Sequence, residues 1–321
     1  MLVVSIGATS GWRAACTELS AAFARAGAHV QTVITGPTPP VRTFALTDLV
    51  QAWAARRACQ HAVAKHDPAA IVYCSITAAL LWPAPGAVWL DSIAAENRPG
   101  RHGVWQRVIE RRRLEQAPLV LTMSQTSLAP LHSRSDVVVV PVPVQRSGLS
   151  HEARDIAAIT YAGDPEKRQL GLVLAAWKRA RRGTEMLVVA GTDQARGVPG
   201  VRAAGRLAPA EYRALLRRAR VFVAAPRRED YGIAPLEALA DGCLLVTTPA
   251  PGPYPALGLA RQLDPRLVDD DLAAALRVAL DDPLAGYRDH AAELLAPFSP
   301  RAVDHTIAQR VLPRLLPGCG T

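Results

Sequence analysis

The feature that most constrains this chain is an alternation of short apolar runs and helical repeats that lapses once and then resumes. Residues 1–6 form an apolar run ending at Gly7, after which Trp12, Ala15, Cys16, Leu19, Phe23 and Ala26 recur at helical spacing up to Gly27. Strand-like runs follow at 29–34, 71–75, 87–91, 119–123 and 137–140, with helical patterns at 48–65 and 104–116. Between 141 and 154 the periodicity disappears into a stretch holding Pro141, Pro143, Ser147, Gly148 and Ser150. It returns as strands at 158–162, 186–190, 221–225 and 243–247. Helices are marked by Leu170, Val173, Leu174 and Trp177, by Tyr212, Leu215, Leu216 and Ala219, and by residues 235–240, and the region 269–315 reads as mostly helical. Alternation on both sides of one linker implies α/β architecture: two Rossmann-like, doubly wound parallel sheets, at 1–150 and 151–321. Ligands of such sheets bind beyond the carboxyl ends of the strands, and two such domains facing each other would enclose a cleft.

Composition supports this division. A chain of 321 residues suits two domains of about 100–200 residues each. Half its residues are apolar and 20% are charged, which provides a core and excludes global disorder. The five cysteines are scattered without metal-ligand spacing, a pattern of reducing, cytoplasmic surroundings. No basic segment precedes the first apolar run, so no secretion signal is read there. Residues 68–90 carry no charge and have membrane-spanning length, but Pro83, Pro85 and Gly86 break them into two strands. The net charge is +9, and residues 1–150 hold 14 Lys and Arg against 8 Asp and Glu, the remainder 23 against 20. No aromatic-interleaved basic stripe suggests nucleic acid. The basic excess of the first half suits an anionic acceptor or peripheral contact with an anionic lipid surface, but a merely solvated basic face is the simpler account.

The chemistry concentrates in residues 227–242, Arg-Arg-Glu-Asp-Tyr-Gly-Ile-Ala-Pro-Leu-Glu-Ala-Leu-Ala-Asp-Gly. This stretch runs from one strand to the next. Pro235 suits the first helical position and Gly242 the residue beyond the helix end. That placement sets Glu237 in the first turn and Glu229 in the loop before it, with Asp230, Tyr231 and Gly232 offering backbone N–H groups to an anion. The two carboxylates point toward one crevice from different depths; taken alone, ordinary service to a helix dipole is the simpler role for Glu237, with Glu229 simply solvated. Upstream, residues 161–168, Tyr-Ala-Gly-Asp-Pro-Glu-Lys-Arg, end a strand and open a helix. Cations at a helix start oppose the helix dipole, so Lys167 and Arg168 call for an anionic partner.

The Glu-x7-Glu spacing within a Gly-x-x-Pro-Leu-Glu-Ala context resembles family 4 glycosyltransferases of the GT-B fold. The resemblance implies that Glu229 contacts donor-sugar hydroxyls and Glu237 accepts hydrogen bonds from the ribose of a nucleotide. It implies that Lys167 and Arg168, beside Gly163, grip the donor pyrophosphate. Here Asp164 stands where the family commonly has an arginine. Arg206, in Gly205-Arg206-Leu207, resembles the segment beside the nucleobase. Gly7 and Gly11, in the loop joining the first strand to the first helix, resemble the family's phosphate- and sugar-approaching loop. Many members carry a histidine after a middle strand of the first domain. The corresponding stretch here is Trp89-Leu90-Asp91-Ser92, which leaves Asp91 or His102 as acceptor-side substitutes, each with a structural role as the simpler reading.

The resemblance implies a retaining transfer from a nucleotide sugar, without a required metal or other cofactor, to a saccharide or lipid acceptor that the sequence does not identify. It also implies that the last helices cross back to the first domain. A nucleotide-sugar epimerase and a non-catalytic nucleotide-sugar-binding protein are the alternatives. The run Asp269-Asp270-Asp271 is expected to cap the following helix rather than hold a metal.

Overall fold

A computed structural model of the chain describes all residues except 8, 37–40, 42, 99, 129–135, 149–152 and 317–321, together with the side chains of Ser10, Phe44, His102 and Leu128. The chain divides into two compact units, Met1–Pro143 with Pro300–Thr321, and Val144–Ser299.

The first unit is built on a six-stranded parallel sheet. Its strands are β1 (Leu2–Ser5), β2 (Gln31–Ile34), β3 (Ile71–Cys74), β4 (Ala87–Leu90), β5 (Val120–Thr122) and β6 (Val137–Val139), in the spatial order β2-β1-β3-β4-β5-β6. The central strands β1, β3, β4 and β5 are buried at every position, and apart from Ser5 and Thr122 at strand ends their sequences are apolar, as strands covered on both faces require. The edge strand β2 instead alternates half-buried and exposed residues. The covering helices are α1 (Ser10–Arg25), α2 (Phe44–His66), α3 (Ile76–Ala79), α4 (Ala94–Asn97) and α5 (Val104–Gln116). Thr9 and Thr43 cap α1 and α2, their hydroxyls accepting from the Trp12 and Leu46 amides. The helix beginning at Ser10 takes Gly11 out of the expected loop and into the first helical turn; of that loop, Ala8 lies outside the described residues.

The second unit holds a five-stranded parallel sheet of β7 (Ile156–Tyr161), β8 (Leu187–Ala190), β9 (Val201–Gly205), β10 (Ala219–Ala224) and β11 (Leu244–Thr247), ordered β11-β10-β7-β8-β9. Around it lie α6 (Leu170–Ala180), α7 (Pro209–Arg218), α8 (Ile233–Ala240), α9 (Pro255–Leu263), α10 (Leu272–Asp281) and α11 (Tyr287–Leu294). Asp271 caps α10 by accepting from the Ala273 and Ala274 amides, so the triple-aspartate run is a helix start, as its sequence suggested. Part of the expected linker is fastened to this unit. The Val144 amide donates to the Phe298 carbonyl at 2.8 Å, and the Ser147 amide and hydroxyl donate to the buried Asp241 carboxylate. The linker residues 149–152 lie outside the described residues.

The closing elements, α12 (Pro300–Thr306), a π-helical turn Ile307–Val311 and α13 (Leu312–Leu315), pack on the first unit. Val303, Ile307 and Val311 are buried there, and Asp304 accepts a two-pronged ion pair from Arg25 of α1.

Candidate functional site

Strand order decides which loops meet. In the second sheet the chain runs outward from β7 through β8 to β9, then returns to the other side of β7 for β10 and β11. The order reverses between β7 and β10, and loops leaving adjacent strands at such a switch point diverge and leave a crevice. The two segments that leave those strands are 162–169 and 225–232, which hold the two motifs singled out in the sequence. They are stitched together by backbone: the Arg227 amide donates to the Lys167 carbonyl at 3.0 Å. The Arg168 guanidinium forms an ion pair with the Glu229 carboxylate, whose side chain is only 5% exposed. Burial lowers the Arg168 guanidinium from its ordinary value, against the opposing influence of Tyr254, Tyr161 and Tyr212. The geometry thus places one cation, Arg168, and one buried carboxylate, Glu229, at the carboxyl edge of the sheet, with Lys167 exposed beside them. A cavity of about 10 Å³, room for about one water, lies under Arg168 between Tyr161, Phe222, Pro226 and Pro235. An open depression of about 330 Å³ borders the same turn on the side of Pro165, Glu166 and Gln194.

Local geometry differs from the sequence reading in three places. Residues 165–169 form a turn, and α6 begins only at Leu170 after Gln169 in a left-handed conformation. Lys167 and Arg168 therefore precede the helix, where the turn, held by the Asp164 carboxylate accepting from the Lys167 amide, presents them. Helix α8 begins at Ile233, so Pro235 is its third residue rather than its first. A proline costs nothing there, because none of the first four amides has an intrahelical acceptor. Glu237 is consequently the fifth residue, beyond the first turn. It forms an ion pair with Arg213 of α7 at 3.3 Å, and that same guanidinium donates to Asp241 at 2.6 Å. Burial raises the Glu237 carboxyl above the usual range, Arg213 opposing it. Gly232 caps α8 with φ +79° and no side-chain acceptor, so no capping side chain covers the amides of that first turn.

Several residues that fix Glu229 were not singled out by sequence. The Glu229 amide donates to the Pro251 carbonyl at 3.0 Å, and its own carbonyl accepts from Tyr254. Gly252, at φ +113°, passes so close that a Cβ would sit 2.2 Å from the Glu229 carbonyl oxygen. A Cβ on Gly232 would meet the Glu229 Cγ and the Tyr254 ring, both at 3.0 Å. The Pro251-Gly252-Pro253 turn was a legible signal for Gly252; nothing in the sequence pointed to Tyr254 or Arg213. Gly163 has a comparable constraint, since its Cβ would fall 2.4 Å from the Tyr161 hydroxyl, and Gly191 abuts the Gly163 amide. Asp230 pairs with Arg228 at 2.8 Å, and Tyr231 is buried. Arg206 is not gathered with these residues: it lies exposed past the edge strand β9, where Gly205 turns against Asp193.

In the first unit the switch point falls between β1 and β3. Gly7 leaves β1 at φ +57°, and a Cβ there would collide with Ile34 and the Thr35 carbonyl, so this position admits only glycine. Ser75, leaving β3, holds φ +131°, a strained conformation for a residue with a side chain, and its hydroxyl caps the Ala78 amide. Strain of this kind collects at functional sites, and sequence reading did not single out Ser75. Asp91 sits at the end of β4, its carbonyl accepting from the Ser127 hydroxyl at 2.6 Å. His102 lies in the short turn Arg101–Gly103, its side chain outside the described residues.

Residues 154–282, which contain β7 through α10, match the family described as glycosyl transferases group 1. The match lies wholly within the second unit. No curated protein matches the sequence. Among solved structures, the chain is similar to Anabaena Alr3699/HepE in complex with UDP-glucose, with TM-score 0.68 and 13% identity over 96% of this chain and 97% of that one. It is likewise similar to sucrose-phosphate synthase from Thermosynechococcus elongatus, with TM-score 0.67 and 16% identity over 96% of both chains. The glycosyltransferase WaaG, involved in lipopolysaccharide biosynthesis, matches with TM-score 0.65 and 14% identity over 98% and 97%. These likenesses span both units and establish the GT-B fold for the whole chain.

Proposed function

We propose that this glycosyltransferase moves a sugar from a nucleotide-sugar donor to a saccharide or lipid acceptor with retention of anomeric configuration. The observation that carries the reading is the meeting of Arg168 and Glu229 at the switch point of the second sheet, within the segment that matches the family. A diphosphate arriving at this turn competes with the Glu229 carboxylate for the Arg168 guanidinium, and Lys167 adds a second cation. Glu229, released from Arg168, becomes an acceptor for donor-sugar hydroxyls. The first-turn amides of α8 face the leaving phosphate and stabilise the charge that develops on it. Glu237 serves the ribose, with Arg213 holding its carboxylate in place.

No carboxylate is assigned as a nucleophile in this scheme, so a covalent glycosyl-enzyme is not invoked. The acceptor hydroxyl attacks from the face the nucleotide leaves. The bond from the anomeric carbon to the phosphate oxygen breaks as the new glycosidic bond forms, and the departing phosphate takes the acceptor's proton. In the first unit the Gly7 loop, Gly11, Asp91 and His102 are the candidates for meeting donor sugar and acceptor. The solved relatives bound to UDP-glucose and to UDP with GlcNAc make UDP the first nucleotide to try.

The test is calorimetry with UDP, GDP and ADP and their nucleosides on the wild type and on Lys167→Gln/Arg168→Gln. The double variant should lose diphosphate affinity about tenfold or more while nucleoside affinity changes little, because only the diphosphate carries the charge these residues offset. Equal losses for nucleoside and diphosphate would remove the pyrophosphate assignment.

A further inference from the structure

Helix α2 is packed in reverse of the usual amphipathic order. Its inward face consists of small residues and one acid: Asp48, Ala52, Ala55, Cys59 and Ala62 are all buried. Its bulky apolar residues point out: Leu46, Leu49, Val50 and Trp53 are 40–53% exposed. These four positions follow helical i, i+3, i+4, i+7 spacing, so they form one stripe, and Arg57 continues it one turn on, its guanidinium 4.7 Å over the Trp53 ring. Helix α5 repeats the arrangement. Val104 and Val108 are exposed on its N-terminal half, Val108 at 64%, and Arg111 and Arg112 are exposed one turn further.

The two helices are joined at the ends that carry the apolar residues. Asp48 of α2 accepts from Gln106 of α5 and from Arg98 just after α4. Exposed Arg101 stands beside the start of α5, and the acids near these stripes are half-buried Glu96 and exposed Glu115. A monomeric soluble surface scatters its exposed apolar side chains singly, and an aligned stripe of this kind marks an interaction surface.

The charge around it selects the occupant. The first unit carries 16 Lys and Arg against 9 Asp and Glu, a net +7 of the chain's +9. A second copy of the same basic surface would repel it, whereas an anionic bilayer attracts it. No described helix is long and apolar enough to cross a membrane. A helix with Leu, Val and Trp outward and arginines beside them fits a helix lying in the headgroup plane.

We propose that the outer faces of α2 and α5 form a peripheral binding surface for anionic phospholipid bilayers. Leu46, Leu49, Val50, Trp53, Val104 and Val108 enter the interface, and Arg57, Arg101, Arg111 and Arg112 pair with lipid phosphates. Two kinds of contact are used because apolar insertion and polybasic attraction are each marginal alone and reinforce one another. The surface lies outside the nucleotide-site residues, so this proposal stands or falls separately from the transferase reading.

The experiment is vesicle co-sedimentation of the full chain with phosphatidylcholine vesicles and with vesicles of phosphatidylcholine containing about 30% phosphatidylglycerol. The wild type should bind the anionic vesicles at least tenfold more tightly than the neutral ones. Leu49→Ser/Trp53→Ser and Arg111→Glu/Arg112→Glu should each lose at least tenfold, with circular dichroism and melting temperature unchanged, since all four side chains are exposed. Binding unaffected by Leu49→Ser/Trp53→Ser would overturn insertion, and equal sedimentation with neutral and anionic vesicles would overturn the role of the arginines. A concentration-dependent dimer in analytical ultracentrifugation, abolished by Leu49→Ser/Trp53→Ser, would assign the stripe to self-association instead.

Discussion

Gly252→Ala tests whether the backbone around Glu229 is as tightly specified as its geometry indicates. The substitution adds one methyl group, but its Cβ would sit 2.2 Å from the Glu229 carbonyl oxygen and 2.9 Å from the carbonyl carbon. Both are main-chain atoms that cannot turn aside as a side chain can. The residue also holds φ +113°, and a side chain in such a conformation costs about 1–3 kcal/mol before any collision is counted. Taking about 2 kcal/mol, and about 2–4 °C per kcal/mol for a unit of this size, the melting temperature should fall by about 4–8 °C.

The matched control is Gly258→Ala. Gly258 lies within α9 with nothing within 4 Å of its missing Cβ. There alanine gains about 0.5–1 kcal/mol of helix stability, a rise of about 1–4 °C on the same scale. The assay is differential scanning calorimetry of both variants, followed by sugar transfer from a UDP-sugar. Because the collision displaces the Glu229 main chain, Gly252→Ala should lose transfer at temperatures where it is still folded, and Gly258→Ala should retain it. Equal melting temperatures for the two variants, or full transfer by folded Gly252→Ala, would refute the claim that Gly252 seats Glu229.

A second prediction concerns pH. Burial pushes the Glu110 carboxyl from 4.5 up to about 7, although both its oxygens accept from the Ala94 amide. A raised folded value means that its contribution to stability is complete below the unfolded value and is lost as pH rises through about 7, some 3 kcal/mol in all at 1.36 kcal/mol per pH unit. Urea unfolding at pH 5 and pH 8 should therefore show the wild type losing ground to Glu110→Gln by about that amount, and a pH-independent difference between the two would show that Glu110 titrates normally. A third prediction is that Glu237→Ala weakens nucleotide and nucleoside binding by about 1.5–3 kcal/mol, the range for a hydrogen bond to a charged group. Calorimetry that finds UDP binding unchanged in that variant would remove Glu237 from the ribose.

Sequence by itself determined the α/β class, the strands and the positions of Glu229, Lys167 and Arg168 on loops, because these follow from local causes. Strands buried on both faces must be nearly continuously apolar, as at 71–74 and 244–246. Breaks in periodicity expose turns, and an acid run before an apolar repeat caps a helix, as Asp271 does. The tertiary structure decided what is not local. Strand order put the loops after β7 and β10 side by side, which is why Arg168 meets a carboxylate 61 positions away. Only packing of α7 against α8 could bring Arg213 to Glu237, since neither residue's neighbours in sequence carry a trace of the other. The start of α8 was misplaced by two residues because proline is tolerated anywhere in a helix's first turn, and it was Gly232 at positive φ that set the boundary. The outward stripe of α2 was hidden for a related reason. Periodicity shows that a helix has apolar positions, but only the sheet beneath it decided that alanines would face in and Leu49 and Trp53 would face out.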